Sequence, residues 1–324
     1  MKHLAWGMAW TALLGSVSSV SATDLTPREV YEQVSPGVVM VMGYPASGAR
    51  GSGGTGSIIQ SDGLVLTNAH VVIEEGTGRP FPRLMVYLKP DRVTGDQRRD
   101  LSRGIKAHTI AYSQSLDLAL LKLDGVKAPL PIVTLSDSEN THIGDRVVAI
   151  GHPEQGGLWT LTTGTISSEF DHFNGVTGKH VFQTETGLNR GNSGGPLLNQ
   201  QGQMIGVNTA IARVAADGMP IASISFSLKS DVAKKWIGEQ GHAASTLSTS
   251  VFGVQPTVQA APHPSQRTGG QANLTPQTNT PLKSVPVDPV RPYNLDELVS
   301  DRAKAEADLD GMISEMRGRM KGKQ

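Results

Sequence analysis

Cysteine is absent from all 324 residues, which removes disulfides, thiolate zinc sites and a cysteine nucleophile at once. Any fold must be held by packing and hydrogen bonds alone. Aromatic side chains make up only 5% of the chain, so a core has to be built mainly from aliphatic residues. Neither charge is in excess, with 29 basic against 29 acidic side chains, and that balance offers no footprint for nucleic acid. After the first twenty residues no apolar run is long enough to read as a bilayer-spanning helix. Glycine, by contrast, is plentiful at 37 residues, which suits an all-β chain with many turns. The length allows one to three domains and a sizeable core.

The first residues read as an export signal. Lys2 and His3 give a short polar start, Leu4 to Gly15 is apolar, and Val20-Ser21-Ala22 has the form of a small-residue cleavage site. Residues 1–22 are therefore expected to be a signal peptide, giving a periplasmic or secreted product with no stable membrane span after cleavage. Thr26-Pro27-Arg28-Glu29 then looks like a helix start, with Thr26 as N-cap and Glu29 closing a capping box.

From Val38 onward short apolar runs alternate with Gly, Pro and Asp. They predict strands at Val38–Met42, Ser57–Gln60, Leu64–Thr67, Leu84–Leu88, Lys106–Tyr112 and Leu118–Leu123. A second set is expected at Arg146–Ile150, Leu158–Ser167, His180–Thr184, Met204–Ile211 and Ile221–Ser227. Such regular short strands point to barrels or a sandwich. A helix from Ser230 to Glu239, with Ser230 as its cap, should close a globular unit spanning 23–240. Residues 241–292 are rich in Ser, Thr, Gln, Pro and Gly and predict a disordered linker. Residues 293–324 are charged and helix-favouring, with Leu298, Ala305, Leu309, Met312 and Met316 near helical spacing.

Three phrases carry chemistry. Gly191-Asn192-Ser193-Gly194-Gly195-Pro196 surrounds a serine with glycines, whose backbone can turn tightly and present N–H groups. A serine hydroxyl is a weak nucleophile, so it needs a base for its proton and donors for a developing oxyanion. The donors expected are the N–H groups of Gly191 and Ser193. Upstream, Leu66-Thr67-Asn68-Ala69-His70-Val71-Val72 offers a histidine, and Ser115-Leu116-Asp117-Leu118-Ala119 offers an aspartate at the mouth of a strand. Alone, each has an ordinary structural explanation: a turn, a packed core histidine, a turn-forming acid. Together, in the order His, Asp, Ser, they predict a general base (His70), its orienting partner (Asp117) and a nucleophile (Ser193).

With Gly51-Ser52-Gly53-Gly54-Thr55-Gly56-Ser57-Ile58-Ile59 added, these phrases resemble the HtrA/Deg family of trypsin-like serine proteases over roughly residues 25–240. The resemblance implies two six-stranded antiparallel β-barrels with the triad between them. It also implies endopeptidase action on unfolded or extended polypeptide, often in envelope quality control, and a homo-oligomer, commonly a trimer. No metal or organic cofactor is needed. Many members carry a PDZ domain after the protease domain, and this sequence departs from that pattern. Asn192 stands where digestive relatives have an Asp that pairs with a newly cut N-terminus, so activation by a propeptide cut is not expected. Glu185 stands where many relatives have Asp.

By the same resemblance Leu188, Ile211 and Ile224 should line the primary pocket, and Thr209, Ala210 and Ile211 should form the edge that pairs with substrate backbone. Uncharged walls favour a small or medium aliphatic residue before the cut. His142, His152, His172 and His180 show no metal-ligand spacing. The alternative reading is a catalytically idle protease fold acting as a chaperone or scaffold, with its tail recruiting a partner.

Overall fold

The computed structural model describes residues 24–46, 51–154, 156–211 and 224–242. The expected signal peptide, most of the linker and the charged tail lie outside these residues. The described chain forms two closed six-stranded antiparallel barrels, as expected.

The first barrel comprises β1 (Val38–Tyr44), β2 (Ser52–Gln60), β3 (Leu64–Thr67), β6 (Arg83–Tyr87), β7 (Gly104–Ser113) and β8 (Leu118–Leu123). They close in the order β1-β2-β3-β8-β7-β6. Between β3 and β6 lies a two-stranded ribbon, β4 (Ile73–Glu74) with β5 (Arg79–Pro80). The second barrel comprises β9 (Arg146–Gly151), β10 (Thr160–Phe170), β11 (Val181–Thr184), β12 (Pro196–Leu198), β13 (Met204–Ile211) and β14 (Ser225–Lys229). Its order is β10-β11-β14-β13-β12-β9. β12 is the one barrel strand among the described residues that the sequence did not announce, as it did not announce the β4–β5 ribbon: at three residues it is too short to show an alternating pattern, and it begins where the nucleophile phrase ends.

The period of two along each strand divides the core. On β1, Val39 and Val41 point into the first barrel with Ile58, Val65, Val86 and Leu121. Val38, Met40 and Met42 point the other way, into a cluster shared with Val148, Ile150, Trp159 and Met204 of the second barrel. On β9, Val147 and Ala149 face the second barrel's interior with Ile166, Phe182 and Ile205. β1 is thus buried along its whole length because each of its faces has its own core. The Trp159 indole N–H adds a direct tie, donating to the Val38 carbonyl at 2.8 Å.

Two helices, the first and the last of the described chain, contribute side chains to the shared cluster. α1 (Pro27–Val34) has the expected capping box, with Thr26 and Glu29 exchanging hydrogen bonds, and it buries Val30 and Val34. α2 (Ala69–Val72) and α3 (Gln97–Asp100) are single turns. α4 (Ser230–Glu239) buries Ala233, Trp236 and Ile237. Its N-cap is Lys229 rather than Ser230. The Ser230 hydroxyl instead donates to the Ser136 carbonyl at 2.7 Å, so tertiary contact outcompetes the local cap.

Candidate active site

His70 sits on α2, immediately after β3, where Val71 and Val72 are drawn into the first-barrel core and His70 is left half-exposed. Asp117 occupies the turn before β8 with φ of 59°, a left-handed conformation that Asp tolerates better than most residues. The Asn68 side-chain amide holds that turn by donating to the Asp117 carbonyl at 2.7 Å. The two side chains meet: His70 Nδ1 lies 2.8 Å from Asp117 Oδ2 and 3.0 Å from Oδ1. The His70 backbone N–H also donates to Oδ1 at 3.1 Å.

A third donor comes from the other barrel. Thr209 on β13 donates its hydroxyl to Asp117 Oδ2 at 2.6 Å. Burial alone would raise the Asp117 carboxyl, but the hydrogen bond and charge of His70, with the Thr209 hydroxyl, hold it below the ordinary carboxylate range. It is therefore an anion aimed at an imidazole. The sequence reading gives Thr209 only a backbone role at the substrate-facing edge; its hydroxyl has this second commitment, to Asp117. No local signal reveals this, because the contact joins residues on different barrels.

Ser193 lines the same cleft, of about 870 Å³, with His70, Asp117, Gly191, Ile73 and Phe81. Among the described residues the Ser193 hydroxyl makes no hydrogen bond, to His70 or otherwise. In substrate-free sites such contacts are often loose and tighten when substrate binds. The loop around it is closely constrained. Gly194 has φ of 83°, and a Cβ there would lie 2.2 Å from both the Thr55 carbonyl and the Thr67 hydroxyl. No other residue fits.

The peptide planes of this loop are pinned in turn. The Arg190 carbonyl accepts from Glu154 N–H at 2.5 Å, and the Asn192 carbonyl accepts from Gly195 N–H at 3.1 Å. The Gly191 carbonyl accepts from the Thr55 hydroxyl at 2.7 Å. In a trans peptide the C=O and N–H point in opposite directions. Gly191 N–H therefore faces away from Glu154, and Ser193 N–H away from Gly195. Neither N–H is donated to any group among the described residues. Arg190 is doubly tied to Glu154, its guanidinium lying 3.3 Å from that carboxylate.

Asn192 is buried and packs on Gly151 of β9, where a Cβ would come within 2.5 Å of its carboxamide oxygen. Glu185 accepts from the Thr165 N–H at 2.8 Å, the Thr165 hydroxyl at 2.7 Å and the Ser167 hydroxyl at 3.1 Å, tying its loop to β10. Of the expected pocket residues, Leu188 packs into the second-barrel interior beside Val147 and Phe182, and Ile224 is half-buried just before β14. Ala210 and Ile211 occupy β13, but their side chains lie outside the described set. His180 pairs with Asp171 and does not line the cleft.

His152 is fully buried, edge-on to the Trp159 ring with centroids 4.7 Å apart. Burial pushes its pKa down to about 3. Unfolded chain takes up a proton here below about pH 6.5, while folded chain does not. The stability associated with the neutral ring is complete above that pH and falls by about 1.4 kcal/mol per unit of further acidification. His152→Asn should cost stability at pH 7, and its deficit against wild type should shrink by about 2 kcal/mol at pH 5. Urea unfolding of both chains at the two pH values checks this; a constant deficit would show that the ring is protonated in the fold.

The chain is similar to known trypsin-like peptidases. Residues 54–207 match the trypsin-like peptidase domain. The chain is 34% identical over 233 residues to the magnetosome formation protease MamE of Paramagnetospirillum magneticum, covering 70% of this chain and 29% of that protein. It is 37% identical over 187 residues to a probable periplasmic serine endoprotease DegP-like of Chlamydia trachomatis, covering 57% and 33%. Serine protease HTRA1 of Xenopus tropicalis is 32% identical over 229 residues, covering 67% and 44%. Among solved structures, the HtrA-type protease AlgW with tripeptide superposes with a TM-score of 0.53 at 29% identity, over 67% of this chain and 65% of that one. The chain spans less than half the length of these curated relatives.

Proposed function

The chain carries an HtrA/Deg-like, trypsin-like peptidase domain, and on that premise we propose that it is an exported serine endopeptidase acting on unfolded or extended polypeptide. The observation that carries this reading is the ionised Asp117 hydrogen-bonded to His70 in a cleft that Ser193 also lines. In the proposed reaction His70 Nε2 takes the Ser193 proton as the hydroxyl attacks a peptide carbonyl. Asp117 keeps the Nδ1 proton in place and stabilises the imidazolium. The N–H groups of Gly191 and Ser193 receive the oxyanion, each donor being worth about 3–4 kcal/mol in such sites. His70 then protonates the leaving amine, and water repeats the sequence on the acyl-enzyme.

Substrate would lie along Thr209, Ala210 and Ile211 as an added strand, with its aliphatic side chain towards Leu188, Ile211 and Ile224. Export is supported by the form of residues 1–22, and a role in envelope quality control by relatives named as periplasmic endoproteases. The test is to incubate the mature chain, from Thr23, with unfolded casein and sequence the fragments by mass spectrometry. Cuts mainly after Val and Ala are expected. Cuts after Lys, Arg or acidic residues would overturn the pocket, and intact casein would overturn the peptidase reading.

A further inference from the structure

Thr55 is a fully buried residue of β2 in the first barrel, yet it meets the nucleophile loop of the second barrel at three points. Its N–H donates to the Ser193 carbonyl at 2.8 Å. Its hydroxyl donates to the Gly191 carbonyl at 2.7 Å. Its own carbonyl would lie 2.2 Å from any Cβ at position 194. The hydroxyl is also fully used. Its one hydrogen goes to Gly191, and its lone pairs face the His152 N–H at 3.2 Å and His152 Nδ1 at 3.0 Å. With its hydrogen spent, the oxygen can only accept from Nδ1, so the buried imidazole carries its proton there. A rigid ring packed on Trp159 thus holds the threonine hydroxyl, and the hydroxyl holds the loop.

We propose that Thr55 is the positioning residue of the oxyanion site: by fixing the Gly191 carbonyl it sets the direction in which the Gly191 and Ser193 N–H groups meet the substrate carbonyl. This role rests on the peptidase reading above. Gly191, at φ of 93°, has no side chain to resist rotation of the peptide planes beside it. Restraint has to come from outside the residue. Glu154 supplies it on one side through the Arg190 carbonyl; on the other, the Thr55 hydroxyl holds the Gly191 carbonyl while the Asn189 carbonyl accepts from Asn192 N–H of the same peptide at 3.0 Å. The peptide that carries the Gly191 carbonyl lies between the one that bears the Gly191 N–H and the one that bears the Ser193 N–H, so its rotation re-aims the donors on both sides. The Thr55 hydroxyl reaches the loop only through that carbonyl, so its removal should be felt in the transition state and not in substrate binding.

The experiment compares wild type, Thr55→Val and Thr55→Ser on a fluorogenic peptide with valine before the scissile bond, alongside the affinity of a peptide trifluoromethyl ketone that forms the tetrahedral adduct. Valine keeps the shape and loses the hydroxyl. It should lower kcat by about 10²-fold with KM nearly unchanged, and weaken the ketone in the same proportion. Serine keeps the hydroxyl and should restore kcat to within a few-fold of wild type. If the valine chain does not fold, Thr55→Ala, with room for water, is read by the same criteria. Unchanged kcat in the hydroxyl-free variant overturns the proposal. So does a loss confined to KM, or a serine variant as impaired as valine. Wild type that neither cuts the peptide nor binds the ketone overturns the peptidase reading instead, and this inference with it.

Discussion

Mature chain carrying Ser193→Ala should lose casein and peptide cleavage by about 10⁶-fold while unfolding within about 2 °C of wild type. The size of the kinetic effect follows from what the hydroxyl does in the proposed reaction: without Oγ there is no acyl-enzyme, and only binding and the oxyanion donors remain. The small structural effect follows from the site. Ser193 is partly buried in the cleft and its hydroxyl makes no hydrogen bond among the described residues. Its contribution to the fold is made by the backbone, whose carbonyl accepts from Thr55 N–H, and alanine keeps that bond. Paired rate and melting measurements check both halves. A variant that cuts at the wild-type rate would place the nucleophile elsewhere, and one that melts far lower would show that lost activity reflects a lost fold.

Asp117→Asn should lower kcat by about 10⁴-fold with KM little changed. The carboxylate accepts from three donors: His70 N–H, His70 Nδ1 and the Thr209 hydroxyl. An amide has only one oxygen. The His70 backbone N–H cannot become an acceptor, so it holds the amide oxygen at the Oδ1 position. The NH₂ group then takes the Oδ2 position, 2.8 Å from Nδ1. Nδ1 must surrender its proton to accept from it, and the proton moves to Nε2, the nitrogen that should be free to deprotonate Ser193. The Thr209 hydroxyl adapts by rotating. Nitrogen-15 NMR of the imidazole reads the tautomer directly, and kinetics read its consequence. A variant with Nδ1 still protonated and kcat reduced would refer the loss to missing charge rather than to tautomer.

Much of this was legible in the residues because it is local. The capping box at Thr26 and Glu29 depends on four consecutive positions, and it formed as read. Most strands announced themselves by alternation and punctuation, and the His, Asp and Ser phrases by residue type and order. The parts that were not legible share one physical character: they are contacts between segments far apart in sequence. Ser230 reads as a cap but spends its hydroxyl on Ser136. Thr209 reads as a backbone edge, and no local pattern shows that its hydroxyl is spent on Asp117. β12 is too short for any period to show.

By itself the sequence determined the class of fold, most of its strands and the three side chains proposed for the chemistry, since these follow from backbone propensity, hydrophobic period and functional-group chemistry. Only the tertiary structure decided which polar groups complete the site. Thr55 and Thr209 are unremarkable strand threonines until two barrels dock. Docking is driven by the apolar seam of Val38, Met40, Met42, Ile150 and Trp159, which is not directional and names no polar partner. Once the seam closes, buried donors and acceptors beside it gain by pairing, and such pairings across the seam hold Asp117 through Thr209 and the Ser193 loop through Thr55.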